Sequence, residues 1–168
     1  MTDTPVLSHY LAAIAYRAQK VLRGAPASFG NFRISRGVRT PCELVRHMAS
    51  VLGYARTFFV GGIYRADPLP SFADEIARFH EMLESLREHF EGGVFVCITP
   101  HQLLQGPLSD VMTHIGQLAL LRRLAGSPVP PEDFIYAEVS SENLSSEQAD
   151  PIAPNDVWTT PEDDLASC

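Results

Sequence analysis

The sequence predicts an all-α protein, a four-helix bundle followed by an extended acidic C-terminal tail. Three observations carry that expectation. Four segments repeat apolar residues at spacings of three and four, the period of a half-buried helix. Nothing alternates strands with helices, and no internal repeat is visible. Charge is segregated: the net −7 over 168 residues falls on residues 140–168. There Glu142, Glu147, Asp150, Asp156, Glu162, Asp163 and Asp164 stand without a Lys or Arg. The predicted organisation is a bundle over 1–139 and a loosely packed or disordered Pro/Ser/acidic tail over 140–168.

The first helix is predicted over 5–23, with Leu7, Leu11, Ile14, Ala18 and Val21 on one stripe and Gly24 as its stop. A Gly/Ser/Arg-rich loop, "GAPASFGNFRISRGVR", follows. Thr40, Pro41 and Glu43 then form a Thr-x-x-Glu capping box with Pro in the first turn, so a second helix starts there. Its stripe is Leu44, Val51, Ala55 and Phe58, and it stops at Gly61-Gly62. The third starts after Pro70, with Ser71 as cap and Asp74 as its partner, and runs through Phe72, Ile76, Phe79, Leu83, Leu86 and Phe90 to Gly92-Gly93. "VFVCI" reads as a short strand or an extended connector, and "TPHQLLQ" as a short helical turn ended by Gly106-Pro107. The fourth helix spans 107–125 and stops at Gly126.

Composition excludes several classes. Outside the tail, acids and bases balance and no basic stripe exists, which argues against nucleic-acid binding. Apolar runs are too short to cross a membrane, no basic segment leads into an apolar one at the N-terminus, and a cytoplasmic location is expected. Cys42, Cys97 and Cys168 lack CxxC spacing, so neither a disulfide framework nor a zinc–thiolate site is indicated. They read as reduced thiols, with Cys97 buried and inert.

The fourth helix carries the chemistry. Asp110 and His114 are four apart, on one face. Gln117 extends the same stripe, and His47 falls on the apolar side of the second helix. A buried carboxylate needs a partner or a cation. A divalent metal would satisfy His47, Asp110 and His114 together; imidazole and carboxylate suit nickel, zinc, iron or manganese. Three protein ligands leave positions open for a small-molecule substrate. A plainer alternative stands beside this one: Asp110 complements the helix dipole or pairs with His114, and the histidines are hydrogen-bonded core residues.

The segments "ELVRHMASVLGYARTFF" and "THIGQLALLRRLAGSPV" resemble those of the DinB-like (YfiT-like) family of metal-dependent four-helix-bundle proteins, over residues 5–125. In that family one His comes from the second helix and two, four apart, from the last, in a His-x-x-x-His-x-Gly-Gln pattern. His47 corresponds to the first and His114-Ile115-Gly116-Gln117 to the end of the motif; Asp110 stands where the middle His is expected. The resemblance implies a metal-dependent enzyme, with a thiol-dependent S-transferase or isomerase using a low-molecular-weight thiol such as bacillithiol or mycothiol among the activities it suggests. It also implies a homodimer. A hydrolase, a non-catalytic metal-binding stress protein, and an interaction bundle with a decayed site share the same sequence features.

Further expectations attach to single residues. Gln117 is placed either on a ligand or behind a metal-binding His, or in a helix–helix hydrogen bond. His80 is placed near the site or at its rim. Gly116 is expected to admit a close helix neighbour. Arg33, Arg36 and Arg39 offer cations to an anionic cofactor, Tyr10 and Tyr54 could line a pocket, and Arg122 and Arg123 serve the helix C-terminus and surface pairs.

Overall fold

Each long helix forms where the sequence supplies a start, a stripe and a stop. The computed structural model describes residues 4–92, 95 and 97–151. Its long helices are α1 (Thr4–Leu22), α2 (Pro41–Val60), α3 (Phe72–Gly92) and α5 (Ser109–Leu124), with a single turn, α4 (Pro100–Leu103), before the last. No strand forms among the described residues, and the protein is all-α. None of the described helices is long and apolar enough to cross a membrane.

The capping boxes are all made. Thr40 Oγ1 accepts from Glu43 N–H while Glu43 Oε2 accepts from Thr40 N–H. Ser71 and Asp74 reciprocate at α3, and Thr99 and Gln102 at α4. Each box satisfies backbone donors that a helix start leaves without intrahelical partners.

α1 packs on α3 and α5, and α2 packs on the same two helices. Their apolar stripes meet in one core, where Leu11, Ile14, Met48, Leu52, Phe79, Leu83 and Leu118 are fully buried. The closest approach behind α2 is at Gly53, where a Cβ would sit 2.0 Å from the Tyr64 ring. The 61–71 connection is held by Glu75, whose side chain is buried between Arg46 and Arg78 and also accepts from Leu69 N–H at 3.0 Å.

Three expectations need correction. Gly106-Pro107 does not separate two helices: Leu104–Leu108 forms a π turn that carries α4 directly into α5, with Pro107 inside it. Proline has no N–H to close an α-type turn. The widened turn accommodates it, and the Ser109 hydroxyl donates to the Leu104 carbonyl at 2.6 Å. Arg122 is not a surface residue: it is 4% exposed and donates to the carbonyls of Val21 (2.7 Å), Arg23 (3.3 Å) and Ser127 (2.7 Å). It thereby satisfies carbonyls that the end of α1 leaves open. Finally, residues 140–151, expected to be loosely packed, lie on the helices. Leu144 is 1% exposed in the core, Arg87 holds the Ser141 carbonyl, and Arg23 pairs with Asp150. One apolar side chain and two basic partners on the body hold a segment whose composition looks unstructured. The rest of the acidic tail, 152–168, lies outside the described residues.

Candidate metal centre

His47 heads a stripe along α2 that continues through Val51, Tyr54 and Phe58, on the side facing α5. Asp110 and His114 stand one turn apart on α5. The packing of α2 on α5 brings these three together. One ligand atom from each lies within 4.8 Å of the others, and the two imidazole rings meet edge to face at 4.8 Å. Asp110 keeps its side chain 49% exposed while that of His114 is 9% exposed. The group thus closes on the core side and opens towards solvent at its carboxylate.

The hydrogen bonds orient His114. Its Nδ1 lies 2.9 Å from Gln117 Oε1, a carbonyl oxygen that can only accept, so the proton is assigned to Nδ1. Nε2 then carries the lone pair. That atom is buried and has no hydrogen-bond partner. The Asp110 carboxylate is 3.4 Å away, beyond ordinary hydrogen-bond distance. An acceptor pair without a donor beside a carboxylate is the situation a cation relieves. The His47 imidazole is held below its ordinary pKa, first by burial and then by Arg39 and His114, with Asp110 opposing. It is therefore neutral at neutral pH, the form that binds metal. Metal–ligand bonds of about 2.1 Å in a tetrahedral set place donors roughly 3.4 Å apart, so the group, whose ligand atoms lie within 4.8 Å of one another, closes on an ion after contracting by up to about 1.4 Å. Among the described residues, this is the one cluster of His, Cys, Asp and Glu side chains that could hold a metal ion.

A cleft opens on each side. One, of about 720 Å³, lies between α2 and the π turn and includes Val51, Tyr54, Phe58, Gln105 and Asp110 in its walls. The other, of about 570 Å³, lies between the 34–39 loop and the far end of α5, with Arg39 and Gln117 in its walls. Of the three loop arginines, only Arg39 faces either cleft. Arg33 is spent on Glu43 and the Val38 carbonyl. Cys97, expected to be buried, is exposed and lines the first cleft; Cys97 and Ile98 form a bend, while residues 94 and 96 of the expected strand or connector lie outside the described residues.

The remaining predicted residues fall as follows. Gln117 bonds His114 rather than another helix. His80 is buried on α3, and its Nδ1 lies 2.6 Å from the Leu144 carbonyl; its partner is the C-terminal segment, not the His47–Asp110–His114 group. Gly116 is exposed, and a Cβ there would meet nothing within 4 Å among the described residues. Among the described residues no helix comes that close to it, contrary to expectation. Tyr54 lines the first cleft, whereas Tyr10 packs against the core. The π turn is the feature that sequence reasoning missed. Its signal was a Pro inside a capped helical segment, read as a stop because a single helical period cannot express a turn that changes register.

Comparison with protein-family models, with curated proteins and with solved structures returns no match.

Proposed function

We propose that the chain is a divalent-metal-dependent enzyme of the DinB-like type, built on a four-helix bundle, with His47, Asp110 and His114 as the metal ligands. The observation that carries the reading is the buried, unpartnered Nε2 of His114, aimed at a carboxylate and a second imidazole. Packing alone does not require that convergence, because an apolar side chain at position 114 would fill the space without an unsatisfied acceptor. The ring of four helices and the capped second helix that delivers His47 support the family reading.

Nickel, zinc, iron and manganese all suit two imidazoles and a carboxylate. Such an ion supplies Lewis acidity, which lowers the pKa of a thiol or a water. The chain's own residues do the rest. Gln117 fixes the tautomer and direction of His114. Asp110 adds one negative charge that a three-histidine set lacks. The clefts beside the group give a small-molecule substrate and a low-molecular-weight thiol access to it. This reading makes the protein a thiol-dependent S-transferase or isomerase, cytoplasmic and homodimeric.

The test is metal content. Protein purified without a His-tag is assayed for bound metal as wild type and as His47→Ala, Asp110→Ala and His114→Ala. Near-stoichiometric metal in wild type, lost in each variant, is the expected result. Metal-free wild type after incubation with each of the four ions would leave a non-catalytic hydrogen-bonded cluster, and the interaction-bundle reading would take over.

A further inference from the structure

The cleft between α2 and the π turn says what kind of molecule reaches the metal group. Its α2 wall is apolar and aromatic. Tyr54 and Phe58 pack edge to face at 5.0 Å, and Tyr54 remains 53% exposed. An apolar, aromatic wall facing a few convergent polar groups is the usual make-up of a small-molecule site. The cleft volume of about 720 Å³ is within the range of small-molecule sites.

The opposite wall is polar, with Asp110 as its one charge, and the π turn builds it. In an unbroken α-helix, residues eight apart are offset by roughly 80°. One extra residue in a turn takes back roughly 100°. Gln102 therefore comes nearly into line with Asp110, and both face the same cleft, together with Gln105 and Thr113. Among the described residues no Lys, Arg or His lines it, and its one charged group is Asp110, at the metal end. The cleft on the far side of the group is different, because Arg39 enters it. A carboxylate on the body of a ligand would lie in the first cleft with amides and aromatic rings, without a cation to offset its desolvation.

We propose that the α2–π-turn cleft receives a ligand body without anionic groups, aromatic or branched aliphatic, whose amide or hydroxyl functions bond Gln105 and the amide nitrogen of Gln102. Gln102 Oε1 is held by Thr99, and the Thr113 hydroxyl by the Ser109 carbonyl. On the metal reading, on which this part rests, the reacting head of that molecule points to Asp110 and His114. A thiol or substrate with anionic substituents is excluded from this cleft.

The test uses two probes that differ by one distal charge, benzamide and 4-carbamoylbenzoate, titrated into the full-length, metal-free protein and followed by amide NMR shifts. Benzamide is expected to shift Val51, Phe58 and Thr113, and 4-carbamoylbenzoate to bind at least fivefold more weakly. Gln105→Lys, an exposed position, should abolish or invert that preference. Thr113→Trp, also exposed, should fill the cleft and remove the benzamide shifts while leaving the rest of the spectrum dispersed. Equal affinity of wild type for the two probes, no binding of either, or benzamide shifts that survive Thr113→Trp would each overturn the proposal. Metal content is measured independently. Loss of the metal result with the probe preference intact sinks the metal reading alone, and the converse sinks the cleft proposal alone.

Discussion

At the residue scale, the chemistry turns on one proton. Gln117 Oε1 accepts from His114 Nδ1 and so leaves Nε2 free for a cation. A partner of this kind fixes ring orientation and basicity, and its removal typically weakens metal affinity 10- to 100-fold. Gln117→Ala should therefore bind zinc roughly 10- to 100-fold more weakly in a competition titration, with its unfolding midpoint nearly unchanged; unaltered affinity would show that Gln117 does not orient His114. Gly116 gives the opposite kind of prediction. It lies in the interior of α5 with open space where a side chain would go, and Gly in a helix interior costs about 1 kcal/mol relative to Ala. Gly116→Ala should stabilise the protein by about 0.5–1 kcal/mol in urea unfolding and leave metal affinity unchanged. Destabilisation would reveal a close neighbour at that position. The pattern His-x-Gly-Gln is legible in the sequence. That His114 meets His47 and Asp110, that Gln117 bonds His114 and that Gly116 meets nothing within 4 Å among the described residues is not, because helical spacing gives direction on one helix but says nothing of what stands opposite.

At the element scale, α2 is the organiser. It carries His47 towards α5 and Arg46 towards α3, and its cap sets the position of both. Arg46 Nε donates to Glu75 Oε1 at 2.7 Å, Arg78 holds the second oxygen, and the carboxylate is fully buried. A buried charge is retained at a net benefit only while its partners stay. Removing the carboxylate leaves Arg46 facing Arg78 and the Leu69 N–H without its acceptor. Glu75→Ala is expected to cost about 3 kcal/mol, read as a lowered urea midpoint, and to loosen the 61–71 connection to proteolysis. A loss below about 0.5 kcal/mol would mean the two arginines find water or other partners without penalty. The capped starts of the helices were readable because capping is local, decided within four residues. The π turn was not, because its register matters only through what α5 must face.

At the scale of the whole molecule, the segment 140–151 closes the helical body over α3. Leu144 fills the core, and its carbonyl lies against His80 Nδ1. Burial holds the His80 imidazole below its usual 6.5, although the Leu144 carbonyl and Glu84 act in the other direction. The folded state therefore takes up a proton at this site less readily than the unfolded chain. Above the unfolded value both states are neutral and pH has no effect through His80. As pH falls through that value, the unfolded state protonates first and stability is lost. Wild type should lose urea stability between about pH 7.5 and 5.5, and His80→Gln should lose less over the same interval. Equal losses in the two proteins would show that His80 does not carry this pH dependence.

The four long helices, the capped starts of the second and third, and His47, Asp110 and His114 as polar residues on α2 and α5 were legible in the sequence, because periodicity, caps and polar breaks in an apolar stripe are properties of short stretches. Three things were decided only by the tertiary structure. Arg122 became a buried clamp on α1, an acidic segment became part of the core cover, and two faces of one polar cluster acquired clefts of different charge. Each depends on residues far apart in the chain coming into contact, and a desolvated charge or an unpaired lone pair exists only once that contact has removed water.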